Sequence, residues 1–432
     1  MSVAFLVCVA ALFGLAAIGV PIALAMLVGA AVYLGISGRD LGLAAEQMIQ
    51  GTFNGFIVLA VPLFIFAANV MNAGTISDRL MNFCIAVVGR FRGGLAYVNI
   101  VTSVIFSGMS GSAIADAAGI GKITTEMMIK GGRYDRGFSA GLTAATAVIG
   151  PIIPPSIPMV MYALVSDTSI GYLFLGGIGP GLLITLVLSI HTFILARVRQ
   201  FPVEAPVPLR KIPGITFEAL PALMMPVVLL AGIYGGAVTP TEAAAIAAAY
   251  ALVLAAFFYR ALSLRDLYRV ISESARSSAA IGLVIAAALV LNYIVASENI
   301  PNLLAGALAG REFSPLGFML SLNILILILG CFLDASTIIL VVIPLFIPTC
   351  NALGIDLVYF GVVIVVNAMI GLITPPYGML LFVIDKTTGI TVTEQTRAIL
   401  PFFLILVVAL LGMILVPDVI LWLPEQFGYR PA

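Results

Sequence analysis

Charge is what this sequence has least of. Only 9% of its 432 residues are Asp, Glu, Lys or Arg, where a soluble globular domain carries about a quarter, so an ordinary water-soluble fold is excluded. One histidine and a formal net charge of zero leave no basic face for nucleic acid. The four cysteines, Cys8, Cys84, Cys331 and Cys350, form no C-x-x-C pair, which argues against a disulfide framework or a zinc site; buried thiols are the simpler reading. There is no nucleophile with a base, no acidic metal-binding pair and no His cluster, so an enzyme is not expected.

What fills the chain instead is apolar sequence, 62% of it. A transmembrane helix needs roughly 20 apolar residues, which leaves room for about ten spans plus some partial ones. The runs place spans near 2–20, 21–37, 55–73, 137–166, 170–196, 214–235, 240–259, 278–296, 356–385 and 395–417. The first run lacks the positively charged start of a signal peptide and is read as a retained helix. Two segments are of a different kind. Residues 93–130 carry Ser107-Gly108-Met109-Ser110-Gly111-Ser112 in their middle, and 314–352 surround Gly330-Cys331-Phe332-Leu333-Asp334; both are read as re-entrant hairpins. Residues 261–278 suit a helix lying in the interface, and the proline-rich stretch 200–213 reads as a linker between two halves. Gly14, Gly19, Gly29 and the alanine run 243–249 are assigned to close helix packing.

Lys and Arg concentrate in cytoplasmic loops. With both termini outside, 16 of the 20 basic residues fall inside, against Arg39, Arg311 and Arg430 outside and Lys122 within the first hairpin. That asymmetry sets the expected orientation.

The most informative feature is a pair of breaks, Ile149-Gly150-Pro151-Ile152-Ile153-Pro154-Pro155 and Ile370-Gly371-Leu372-Ile373-Thr374-Pro375-Pro376. They match at five of seven positions at an offset of 221 residues (371 − 150). Each lies inside a span and follows a hairpin. Backbone freed from a helix inside a bilayer is tolerated where it is buried in protein or lines a cavity, and a single such break could serve packing alone. Two, beside two hairpins opening to opposite sides, predict an all-α polytopic membrane protein with an inverted repeat, 55–196 and 278–417, and a transport site at the centre.

The run Phe106-Ser107-Gly108-Met109-Ser110-Gly111-Ser112-Ala113-Ile114-Ala115-Asp116, with Gly137-Phe138-Ser139-Ala140-Gly141 and the two Pro-Pro breaks, resembles the large membrane subunit of tripartite ATP-independent periplasmic (TRAP) transporters over essentially the whole chain. The resemblance implies an elevator-type, sodium-driven importer of small organic anions in the bacterial inner membrane. It also implies two partners, a small four-helix membrane subunit and a periplasmic substrate-binding protein. Sodium (Na+) is the expected coupling ion. One site transfers to Ser107, Ser110, Gly150, Ile153 and Pro155, and a second to Gly330, Gly371, Thr374 and Tyr377. Oxygen ligands at such breaks suit a hard cation.

Among the acids of the hairpins, Asp116, Glu126 and Asp334, Asp334 stands at a helix start, where a carboxylate offsets the dipole or attracts a cation. Lys122 is read as pairing with Glu126, and His191 as an interface residue. Ser112, Asp334, Thr337 and Asn367 are candidate substrate contacts, although mid-membrane Ser, Thr and Asn often hydrogen-bond between helices. The alternatives are a stand-alone sodium-coupled di- or tricarboxylate symporter and a passive channel; oppositely oriented hairpins favour alternating access over the channel.

Overall fold

The computed structural model describes residues 2–54, 56–73, 76–204, 206–300 and 314–431. Among these the chain is helical, with one isolated antiparallel bridge, Arg92–Val203, in place of any sheet. Gly55, where the first repeat is expected to begin, and Arg311 lie outside the described residues.

Among the described residues, five helices are long and apolar enough to cross a membrane: Ile170–Val198, Leu209–Tyr234, Pro240–Phe258, Leu264–Ser297 and Val392–Leu415. The remaining apolar helices are shorter, and local chemistry ends them. Val3–Ala17 stops at Gly19, whose φ of 89° is left-handed, and Ile22–Ile36 begins directly after Pro21, a residue suited to a helix start. The two pack against each other at Gly29, where a Cβ would sit 3.1 Å from the Cys8 carbonyl oxygen. Gly14 and Gly19, expected to serve the same purpose, face open space; Gly19 serves the turn. The alanine run does pack: Ala243, Ala244, Ala247 and Ala248 are buried, and their helix lies on Ala60–Ala73.

The structure corrects the reading of 261–296 as an interfacial helix followed by a span. Leu264–Ser297 is one helix of 34 residues, capped by Ser263, whose hydroxyl accepts from the Asp266 amide. No proline interrupts it and its one glycine, Gly282, lies deep in the run. At 1.5 Å per residue it extends about 51 Å, longer than the ~30 Å hydrocarbon core of a bilayer.

Two structural series recur within one residue of the offset of the sequence breaks. Helix Gly94–Ser110 ends at Gly111 in a left-handed conformation, φ 62°, and the chain turns back with Ser112 capping the helix that starts at Ala113. Helix Pro315–Gly330 is followed by a short turn and by Asp334, which caps the helix starting at Ala335. In each returning arm the helix widens to a π-helical turn, Ala117–Gly121 and Ile338–Val342, 221 residues apart (338 − 117). Asp135 and Asp356, at the same offset, cap Arg136–Ala147 and Leu357–Gly371 by accepting the Phe138 and Tyr359 amides. These side chains satisfy amides that otherwise have no helical partner. Both capped helices end at the breaks, and the chain resumes as Ile157–Ser166 and Met379–Thr388. Leu357–Gly371 is buried over almost its whole length, which explains why its apolar residues follow no one-sided pattern.

Candidate functional site

The first hairpin tip is seated on the first break. Gly111 lies so close to the Pro155 carbonyl oxygen that a Cβ would stand 2.6 Å from it, and the Ile157 amide donates to the Gly111 carbonyl at 3.4 Å. Behind the tip, the Ser110 hydroxyl donates to Asp116 Oδ1. The other carboxylate oxygen, Oδ2, is buried and has no hydrogen-bond partner. It faces Gly150, where a Cβ would collide with it. No hydrogen bond reaches the carbonyls of Gly150, Ile153 or Pro155 among the described residues. Ser107, also buried, donates to the Val104 carbonyl at 2.5 Å. The structure therefore brings Ser110, Gly150 and Pro155 together and adds Asp116. Its signal in the sequence was its place one turn into the returning helix, which could not distinguish it from a residue of the helix dipole.

The second break meets the second hairpin backbone to backbone. A Cβ on Gly330 would stand 2.8 Å from the Gly371 Cα. Thr374 donates its hydroxyl to the Ile370 carbonyl at 2.8 Å, and the carbonyls of Gly371 and Thr374 accept from the Thr374 and Gly378 amides, each at 3.0 Å. Tyr377 is not gathered here; its ring is exposed and lies against Phe332 and Phe382. The first break thus leaves oxygen atoms open, and the second satisfies most of its own.

Between the two tips lies a cavity of about 290 Å³. Four helices begin at its wall: Ser112 and Ala113, Ile157 and Pro158, Asp334 and Ala335, and Met379 all line it. The opposite wall is Ala280, Ile281 and Val284 of the long helix. Helix N-termini carry partial positive charge and free amides, so four of them converging make a place for an anion. Ser112 and Asp334 are on the lining. Thr337 stands behind Asp334, to which it donates both its amide, at 3.2 Å, and its hydroxyl. Asn367 is fully buried away from the cavity and donates to the Asn323 carbonyl and side-chain oxygens, both at 2.7 Å. Ser336, on the lining, was not singled out in the sequence.

The charged residues outside this centre are placed as follows. Lys122 and Glu126 approach to 3.9 Å, both partly exposed. His191 packs edge-on against Phe402, with ring centroids 4.9 Å apart. Arg39 donates to the Tyr293 and Ser297 hydroxyls at 3.2 and 3.0 Å, which ties it to the long helix.

Residues 9–419 match the family described as "Tripartite ATP-independent periplasmic transporter, DctM component". The chain belongs to this family. The permease is 38% identical to the sialic acid TRAP transporter large permease protein SiaM of Vibrio cholerae, over 96% of this chain and 97% of that one. It is 40% identical to the C4-dicarboxylate TRAP transporter large permease protein DctM of Pseudomonas aeruginosa, over 87% and 88%. With the 2,3-diketo-L-gulonate TRAP transporter large permease protein YiaN of Escherichia coli it shares 33% identity, over 97% and 98%. The crystal structure of the Alcanivorax borkumensis YdaH transporter superimposes with a TM-score of 0.61 over 86% of each chain at 14% identity, a likeness of fold.

Proposed function

We propose that this permease is the translocating subunit of a sodium-coupled importer of small organic anions, working by an elevator mechanism in the bacterial inner membrane with both termini periplasmic. The observation that carries the reading is the convergence of four helix N-termini on one cavity, with an unpartnered buried carboxylate oxygen behind it. The substrates named for the three relatives are all carboxylic acids, which supports the anion class.

An ionised carboxylate without a partner is costly to bury. A sodium ion at the first break would offset that cost, held by Asp116 Oδ2 and the open carbonyls of Gly150, Ile153 and Pro155. Gly330, Gly371 and Thr374 would serve the second ion. Both ions would sit behind the cavity, where their charge would favour a carboxylate in front. Asp334, on the same lining, has both carboxylate oxygens engaged by Thr337.

In this reading the caps, π-turns and breaks that recur at a 221-residue offset belong to an inverted repeat, and the two hairpins with their broken helices move as one body. The wall of Ala280, Ile281 and Val284 suits a sliding surface, since its side chains offer no hydrogen bonds. Sodium can shift the equilibrium between outward and inward arrangements only by binding one of them more tightly. A periplasmic binding protein would deliver substrate, and a small four-helix membrane subunit would pack on the apolar flank of the fixed scaffold, formed by spans such as 21–37 and 214–259.

The test is uptake of labelled organic acids into proteoliposomes containing the permease and its small subunit under an inward sodium gradient, with and without the binding protein. Uptake that needs both sodium and the binding protein is expected. Sodium-driven uptake without the binding protein would instead indicate a stand-alone symporter.

A further inference from the structure

A second cavity, of about 770 Å³, opens on the outer flank where helix Gly94–Ser110 meets the end of Ile170–Val198. It has two kinds of wall. Val88, Val101 and Phe193 are apolar, and Arg92 and Arg197 are the two charged residues of the lining. Among the described residues neither guanidinium has an acidic partner at ion-pair distance. By contrast, Arg79 pairs with Glu218, Arg133 with Glu204 and Arg269 with Asp266.

The surface leading into the groove has the same polarity. Leu186, Ile190 and Phe193 are 57%, 50% and 48% exposed, and their spacing of four and three residues puts them on one helix face. Arg197 continues that face one turn later and lies over the Phe193 ring, 4.2 Å from its centre. An apolar stripe ending in a pair of unpaired cations matches a molecule with an acyl chain and an anionic head. A free inorganic anion would leave the apolar walls unused.

We propose that this groove binds one anionic phospholipid, with its phosphate between Arg92 and Arg197 and an acyl chain along Val101, Phe193 and Ile190. Basic pockets between membrane helices are suited to such head groups. Tyr97 and Val101 belong to the first arm of the hairpin and Phe193 and Arg197 to the neighbouring helix, so the lipid bridges the two and holds the hairpin base in place.

The experiment is native mass spectrometry of the purified full chain in detergent, titrated with dioleoyl phosphatidylglycerol or dioleoyl phosphatidylcholine. One phosphatidylglycerol adduct is expected to outlast phosphatidylcholine. The R92Q/R197Q variant should bind it more weakly by about fivefold per arginine lost, while R265Q/R269Q, at a distant arginine pair, leaves binding unchanged. Equal retention of the two lipids, or full retention by R92Q/R197Q, overturns the proposal. Displacement of the lipid by millimolar inorganic phosphate also overturns it, by showing an anion site with no lipid selectivity. Both pairs are exposed, so circular dichroism of each variant should match the parent.

Discussion

Gly330 and Gly371 approach so closely that a Cβ added to either would stand 2.7–2.8 Å from the other's Cα. No side chain fits at either position without moving one backbone from the other. Gly371→Ala and Gly330→Ala are therefore expected to destabilise the permease by about 1–3 kcal/mol, as overpacking does. Sodium-dependent uptake should fall further, because the second hairpin would be pushed off its break. Thermal unfolding in detergent and uptake in proteoliposomes measure the two effects; unchanged uptake in both variants would reject the placement of the second ion.

Gly150 stands against Asp116 as Gly371 stands against Gly330, but with a carboxylate in place of a backbone. Asp116→Asn keeps the shape and removes the charge. The expected result is a rise in the sodium concentration for half-maximal uptake on the order of tenfold, with insertion intact. Gly150→Val should abolish sodium-dependent uptake by driving the Asp116 side chain aside. Sodium dependence that is the same in all three proteins would show that no ion sits at the first break.

Asn367 and Ser112 separate packing from substrate contact. Asn367 bonds to Asn323 and does not reach the cavity, so Asn367→Ala should lower stability by about 1 kcal/mol while leaving the apparent KM for substrate unchanged. Ser112 lines the cavity and caps a helix there. Ser112→Ala should raise KM. A KM shift confined to the Asn367 variant would reverse these assignments.

Glu298 ties the first helix to the long one. Its carboxylate accepts the Ser2 amide at 2.8 Å, the Ser2 hydroxyl at 2.6 Å and the Tyr33 hydroxyl at 2.9 Å. These bonds, Ser2's first, hold its pKa below the ordinary glutamate value. A carboxyl depressed in the folded state adds stability above its unfolded pKa and loses it as pH falls through the folded one. Thermal stability should therefore decline on acidification below the ordinary glutamate range, and Glu298→Gln should flatten that part of the profile. The group is only partly buried, so the amplitude is small and decreases with salt.

Much of this architecture was legible along the chain because its causes are local. Scarce charge put the protein in a membrane, and a Gly-x-x-x-Pro-Pro pattern inside two apolar runs marked the breaks, since proline removes a donor and clashes with the preceding turn. Asp135 and Asp356 were not singled out along the chain, and the structure shows them as equivalent caps, although a cap needs only its own next three residues. The boundary between the polar and apolar parts of Leu264–Ser297 was misread for a related reason. Composition changes at the membrane surface, but a helix without a breaker does not stop there.

What the sequence determined by itself was the class of protein, the sites of interruption and the family, because composition, proline chemistry and motif spacing are properties of contiguous residues. Tertiary structure alone decided which interruption meets which hairpin. It placed Asp116 Oδ2 against Gly150 without a partner, set Asn367 on Asn323 away from the cavity, and drew four helix starts to one wall. Those relationships join residues tens of positions apart through packing of backbone on backbone, and a linear pattern carries no record of which face each helix turns toward the other.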